Sequence, residues 1–278
     1  MSVLRVVHTT SFRYAGPVTT SHNEVRMTPL SEAGQVVEDA SVSIEPLTWR
    51  HDYRDYWGTA VTAFEVTGPH TELVITARSR VRVTPAGSSV SLVDWDMLRR
   101  PLVADQMAEY LALSPTTQPP GEVVALARAA ATGHPPDDAA AAICSALHDA
   151  VEYVPGATAV QSTASDAWRE RKGVCQDIAH LSVGALRSAG IPARYVSGYL
   201  HPVADAVGQT VVGQSHAWVE WWAGRWHAFD PTNRSHVGEH HVVLARGREY
   251  QDVAPLSGIF AGAGTTSHAV EVQITEEG

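Results

Sequence analysis

Two hydrophobic periods divide this chain. Up to about residue 85, apolar and β-branched residues come in short runs: Val3–Phe12, Ala40–Ile44, Ala60–Val66 and Leu73–Val83. Gly16-Pro17, Glu45-Pro46, Gly68-Pro69 and Pro85-Ala86-Gly87 separate them as turn signals. Short strands at regular spacing predict a small antiparallel sandwich. From 86 to about 155 the period lengthens. Glu122–Ala131 and Asp137–Val151 are Ala/Leu-rich with helical periodicity, Pro119-Pro120-Gly121 is a connector, and Asp137-Asp138 after Pro135-Pro136 marks a helix start.

The stretch from 156 to 278 mixes both periods. A helix is predicted near 174–189, with Ile178, Leu181, Ala185 and Leu186 on its inward face, Gly190 as its C-cap and Pro192 beyond. A strand over Ala193–Leu200 follows, then a polar loop to about Gln214. Strands over Ser215–Trp221 and Arg225–Asp230 come next, and Ala269–Thr275 alternates like a last strand. The expectation is an α+β chain in three segments. These are a β-rich, sandwich-like module over 1–85, a helical segment over 86–155 and a mixed core over 156–278.

Composition narrows the function classes. The 278 residues are 44% hydrophobic and 18% charged, in the range of a globular protein with a sizeable core. A formal charge of -10 and the lack of any long basic stripe argue against nucleic acid as a partner. No apolar run is long enough to span a bilayer, and Met1–Tyr14 lacks the apolar stretch of a signal peptide. Two cysteines, Cys144 and Cys175, are too few for a disulfide framework. A cytoplasmic protein with reduced thiols is the expectation.

The chemistry lies in three short segments: Gly173-Val174-Cys175-Gln176-Asp177, Ser215-His216-Ala217-Trp218-Val219-Glu220 and Ala228-Phe229-Asp230-Pro231-Thr232. They supply a thiol, an imidazole and a carboxylate, the parts of an activated-thiol acyl-transfer site. Cys175 falls at the predicted helix start, where the macrodipole and free N–H groups favour a thiolate and offer oxyanion donors. Cys144, among Ala142, Ile143 and Leu147, reads instead as a small buried hydrophobe. If Trp222-Ala223-Gly224 is a three-residue hairpin loop, closing on Trp221 opposite Arg225, then His216 falls directly opposite Asp230 on one face. Their Cβ atoms would then lie about 4.5–5.5 Å apart. Trp218 shares the His216 face and is a candidate wall of the site. Gln176, beside Cys175, is a candidate substrate or oxyanion contact. Asp177 and His180 lie on the same helix, the first reading as a helix-start residue and the second as packing.

These motifs resemble the transglutaminase-like superfamily, specifically its bacterial members. That group has a Gly-x-Cys-x-Asp helix start, a His-Ala-Trp strand and an Asp-Pro-Thr strand end. Here these are Gly173–Asp177, His216-Ala217-Trp218 and Asp230-Pro231-Thr232. His8-Thr9-Thr10 with Tyr14 resembles the group's N-terminal module. Gly247–Gly258 resembles its C-terminal tail, with Glu249 where an Asp is usual. The resemblance implies a papain-like core, a nucleophile helix packed on an antiparallel sheet. It also implies Cys175 as nucleophile, His216 as base then acid, and Asp230 as the residue orienting His216. A protein or peptide substrate is implied, without a cofactor. The reaction itself stays open among crosslinking, proteolysis and amide hydrolysis, and a non-catalytic scaffold is the rival reading.

Metal binding is the other rival. His236, His240 and His241 cluster around Glu239, but the stretch reads as a loop entering a strand. It also lacks the His-Glu pairing of a metalloprotease helix. No acidic calcium-type loop is present either, so no metal is expected.

Overall fold

A computed structural model describes residues 1–84, 93–202 and 207–278. The first four strands are β1 (Ser2–Val25), β2 (Gln35–Glu45), β3 (Trp49–Arg54) and β4 (Ala60–Val83). Three short helices follow, α1 (Trp95–Leu98), α2 (Pro101–Gln106) and α3 (Ala108–Leu111), and then the longer α4 (Gly121–Ala131) and α5 (Pro136–Ala150). β5 (Glu152–Tyr153), α6 (Ala164–Glu170) and β6 (Lys172–Gly173) lead into α7 (Cys175–Ser188). The rest comprises β7 (Ala193–Leu200), β8 (Thr210–Val212), β9 (Gln214–Trp222), β10 (Trp226–Asp230), β11 (Ser235–His236), β12 (His241–Gly247), α8 (Tyr250–Val253), β13 (Leu256–Gly262) and β14 (Thr265–Glu276).

The N-terminal sandwich is built from one seven-stranded antiparallel sheet, β2-β4-β1-β14-β8, with β13 added to β1 and β3 to β4. Alternation in β4 explains its two faces. Leu73, Ile75, Ala77, Val81 and Val83 are buried, while Arg78, Arg80 and Arg82 between them are exposed. The runs 60–66 and 73–83, expected as separate strands, are one strand. Gly68-Pro69 does not end it, and Gly16-Pro17 likewise lies inside β1. Both signals sit where the β1–β4 register shifts, Gly16-Pro17 between Arg13 and Val18 and Gly68-Pro69, with Gly68 at φ 109°, opposite the shift between Val18 and Thr20. A bulge bends its strand, and proline is tolerated there. The two Gly-Pro pairs therefore mark the crease. Across it, Val18, Val25, Phe64 and Val66 share one core with Val42, Ile44, Leu73 and Ile75.

Two further differences have the same origin. The C-terminal stretch, expected with the core, returns to the N-terminal sheet, because β13 and β14 both pair with β1. The expected polar loop 201–213 contains β8, which pairs with β14. The Pro85-Ala86-Gly87 turn and residues 203–206 of that loop lie outside the described residues.

The core sheet, β11-β10-β9-β7-β12, is antiparallel. Helix α7 packs on the face carrying Ala217, Val219 and Trp221 through Ile178, Leu181, Ala185 and Leu186. It ends as its sequence predicts. Gly190 is at φ 84°, the Gly190 N–H bonds the Arg187 carbonyl and the Ile191 N–H bonds the Leu186 carbonyl, a Schellman closure. The opposite face meets the N-terminal segment. Leu30 packs on Val196, Trp218 and Val243, and buried Gln35 accepts the Val243 N–H at 2.7 Å while donating to the Leu30 and Val243 carbonyls. Among the described residues no helix is long and apolar enough to cross a membrane.

Candidate active site

Cys175 is the first residue of α7 and is half-buried. The helix start is held by Asp177, whose Oδ2 accepts the Val174 N–H at 2.8 Å and the Thr158 hydroxyl. Burial pushes the Asp177 carboxyl up against these bonds. Gly173 is required here by its neighbour, because a Cβ on it would lie 2.8 Å from the Asp177 Cβ. Parallel pairing of β5 with β6 sets Tyr153 beside Gly173, within electrostatic reach of Cys175. Asp177 is thus a helix-start residue. His180 is wholly buried, accepts the Tyr250 N–H at 3.1 Å and lies tilted against the Tyr195 ring, and burial holds its ring down to about 3.

His216 and Asp230 come from the β9–β10 hairpin. The loop does have three residues, but they are Ala223, Gly224 and Arg225, closed by Trp222 opposite Trp226. Gly224 takes the left-handed conformation at φ 84°. The register is therefore offset by two residues from the expected one. Pairing ends at Phe229 with Val219, so Asp230 lies diagonal to His216 rather than opposite it. An even offset keeps both on one face. The His216 Nε2 donates to Asp230 Oδ2 at 2.7 Å, with both side chains buried. Cys175 lies within electrostatic reach of the ring.

Asp230 has a separate task for each oxygen. Oδ1 accepts the backbone N–H groups of Thr232 (2.9 Å) and Asn233 (3.1 Å), closing a turn in which Pro231 has no N–H to offer. Oδ2 takes His216, the Asn233 Nδ2 at 2.7 Å and the His241 Nε2 at 3.4 Å. The Gly238 N–H donates to His241 Nδ1, so the His241 proton lies on Nε2 and points at the carboxylate. Burial would raise the Asp230 carboxyl, but the bonds from His216 and His241 outweigh it and hold it well below the usual carboxylate range. Burial likewise opposes the charged His216 ring. The bond to Asp230, then the neighbouring Cys175, reverse that and raise it to about 9.

Trp218 is wholly buried, 6.2 Å from the His216 ring and edge-on to His241 at 5.3 Å. It packs behind both imidazoles. Its space exists because Gly198, paired with His216 across β7 and β9, has no side chain. A Cβ there would lie 2.4 Å from the Trp218 ring and 2.1 Å from the Val242 carbonyl oxygen. Gln176 is engaged otherwise than expected. Its Nε2 donates to the Val160 carbonyl at 2.9 Å, fastening the loop that crosses the helix start. Cys144 is buried without exposure, which pushes its thiol up to about 12, and both cysteines are free.

Asn233 and His241 were not recognised from sequence as members of this group. Asn233 carried a signal, since a residue three past an Asp-Pro turn is within reach of the Asp side chain. His241 carried none, because it arrives from β12. The expected cluster of His236, His240 and His241 is dispersed. His236 packs edge-on against Phe229, His240 tilts against His201, and His241 turns to Asp230.

A helix-start thiol set against an imidazole and a carboxylate on an antiparallel sheet defines a class of thiol-dependent enzymes. Residues 124–231 match the profile of the transglutaminase-like superfamily, and residues 4–82 match that of the bacterial transglutaminase-like N-terminal region. The chain belongs to the transglutaminase-like superfamily. An uncharacterized protein of Mycobacterium leprae is 45% identical over 98% of both chains. A protein-glutamine gamma-glutamyltransferase of Pseudomonas aeruginosa is 32% identical over 123 residues, 40% of this chain and 18% of that protein. A crystal structure from Cytophaga hutchinsonii, described as a candidate cysteine protease, shares the fold. Its TM-score is 0.74 with 21% identity, over 99% of this chain and 98% of that one.

Proposed function

We propose that the protein is a thiol-dependent acyltransferase acting on amide bonds of protein or peptide substrates through a Cys175 thioester. The observation that carries this reading is the buried His216 ring, hydrogen-bonded to Asp230 and within electrostatic reach of the helix-start Cys175. His216 takes the Cys175 proton, and the thiolate attacks the amide carbonyl carbon. N–H groups at the start of α7, the Cys175 N–H among them, stabilise the oxyanion. The tetrahedral intermediate collapses as the imidazolium protonates the departing nitrogen, which leaves as an amine or ammonia. A second amine then attacks the thioester, and His216 removes its proton and returns it to the sulfur. Asp230 holds the ring in place and stabilises its charged form, while Asn233 and His241 fix Asp230. Two free thiols are in keeping with a cytoplasmic setting.

The likeness to a protein-glutamine gamma-glutamyltransferase favours a glutamine side chain as acyl donor. The likeness to a candidate cysteine protease favours a second reading, in which water resolves the thioester. One assay separates them. A glutamine-containing peptide is incubated with and without a primary amine, and amine incorporation, ammonia release and backbone cleavage are measured, with Cys175→Ala as control. Incorporation lost in Cys175→Ala is the expected result. Cleavage without incorporation would move the reaction to hydrolysis, and no Cys175-dependent turnover of any kind would defeat the enzymatic reading.

A further inference from the structure

A second cluster of ligand-type side chains lies outside the Cys175 site. His201 follows β7, His240 precedes β12 and Glu276 ends β14. One ligand atom from each lies within 4.8 Å of the other two. The backbone fixes the group, since the His201 N–H donates to the His240 carbonyl at 3.0 Å and the Gly208 N–H donates to the Glu276 carbonyl at 2.7 Å. The imidazole centroids are 5.7 Å apart and tilted by 31°. His201 is 2% exposed and Glu276 6%.

Glu276 gives the group its meaning. Its Oε1 accepts the Ser2 hydroxyl at 2.7 Å, but Oε2 is buried with no hydrogen-bond partner among the described residues, as is Nδ1 of His240. A buried carboxylate oxygen left unpaired is costly unless a charge or donor faces it. The nearby N-terminal ammonium is paired with Glu239 instead.

We infer that His201, His240 and Glu276 form a binding site for a borderline divalent cation, zinc foremost. Two imidazoles and one carboxylate are a nitrogen-rich donor set that suits zinc and disfavours calcium or magnesium, which take oxygen ligands. Ligand atoms about 2.0–2.2 Å from a tetrahedral zinc ion stand about 3.5 Å from one another, so small side-chain rotations close the cluster around the metal. The ion clamps the last strand of the N-terminal sheet to the ends of two core strands. Its ligand His240 is the neighbour of His241, which bonds Asp230. Local sequence spacing cannot reveal such a site, because its ligands are brought together only by the fold.

The test uses the full chain carrying Cys175→Ala, so that the thiol cannot supply a competing ligand. The protein is stripped with chelator, dialysed and titrated with zinc chloride by calorimetry, with thermal unfolding followed in parallel. One equivalent should bind and raise Tm. Glu276→Gln keeps the side-chain shape, and His240→Gln alters a half-buried loop residue. Each should weaken binding by more than the ~10–100-fold that loss of an outer-shell partner produces, and each should abolish the Tm rise. His216→Ala should retain both. Circular dichroism of the zinc-free variants shows which are folded, and either ligand variant alone suffices. No zinc binding, zinc binding that survives in the folded ligand variants, or binding lost only with His216→Ala would each overturn the assignment.

Discussion

Glu220 and Asp230 are both buried carboxylates on the β9–β10 hairpin, and both draw several donors. Their partners differ in kind. Glu220 is gripped by two guanidinium groups, Arg194 at 2.5 Å and Arg246 at 3.0 Å, and Arg246 reaches on to Glu32 of the N-terminal segment at 2.7 Å. Burial would raise Glu220, but Arg246 and then Arg194 keep it below its ordinary range. Asp230 is gripped by two imidazoles and an amide. Arginine does not lose its proton in proteins, whereas an imidazole does so within the physiological range. The same burial therefore yields a fixed brace around Glu220 and a proton-handling group around Asp230.

The largest expected effect comes from breaking the second cluster. Asp230→Asn keeps an oxygen for the Thr232 and Asn233 N–H groups but can no longer hold the proton on His216 Nε2. Turnover in the amine-incorporation assay should fall by ~10⁴-fold while the protein stays folded. A fall below tenfold would mean that the carboxylate does not govern the ring.

Arg246→Met attacks the first cluster. It strips one partner from buried Glu220 and cuts the tie to Glu32, and should cost about 3–5 kcal/mol in urea denaturation. Turnover per folded molecule should stay near wild type. The pH dependence sharpens the contrast. His216, raised from 6.5 to about 9 in the fold, contributes stability that is complete below pH 6.5 and is lost as pH rises through 9. Asp230 and Glu220, both lowered, contribute stability above the usual carboxylate range that is lost on acidification. Wild-type stability should therefore decline between pH 6.5 and 9, and His216→Ala should remove that decline where Arg246→Met does not.

Gly198→Ala should have the smallest effect, about 1–3 kcal/mol, because the added methyl must displace the Trp218 ring and the Val242 carbonyl. The displaced ring should also lower turnover. Unchanged stability and unchanged turnover would show that Trp218 does not back the imidazoles.

Local features were legible in the sequence. The start and glycine end of α7 needed only capping chemistry, and the thiol, imidazole and carboxylate sat in short motifs on elements with clear periods. The hairpin shows where legibility stops. Its loop length was readable, but β9 runs on through Trp222, whose N–H is taken by the Pro192 carbonyl on the β7 side at 2.8 Å. That bond lies outside the hairpin and moves its register. Gly16-Pro17 and Gly68-Pro69 were visible as backbone signals, but whether such a pair ends a strand or creases it depends on the neighbouring strand. The donors converging on Asp230 from Asn233 and His241 and the meeting of His201, His240 and Glu276 are products of tertiary contact. So is the return of β14 to the N-terminal sheet.

The central claim is that His216 activates Cys175, and alkylation of the intact protein tests it most directly. At pH 6, iodoacetamide should modify Cys175 and leave Cys144 untouched, since burial pushes the Cys144 thiol up to about 12. His216→Ala should slow Cys175 modification by ~100-fold at that pH. Equal modification of the two thiols in the folded wild type, or a Cys175 rate indifferent to His216→Ala, would contradict the account.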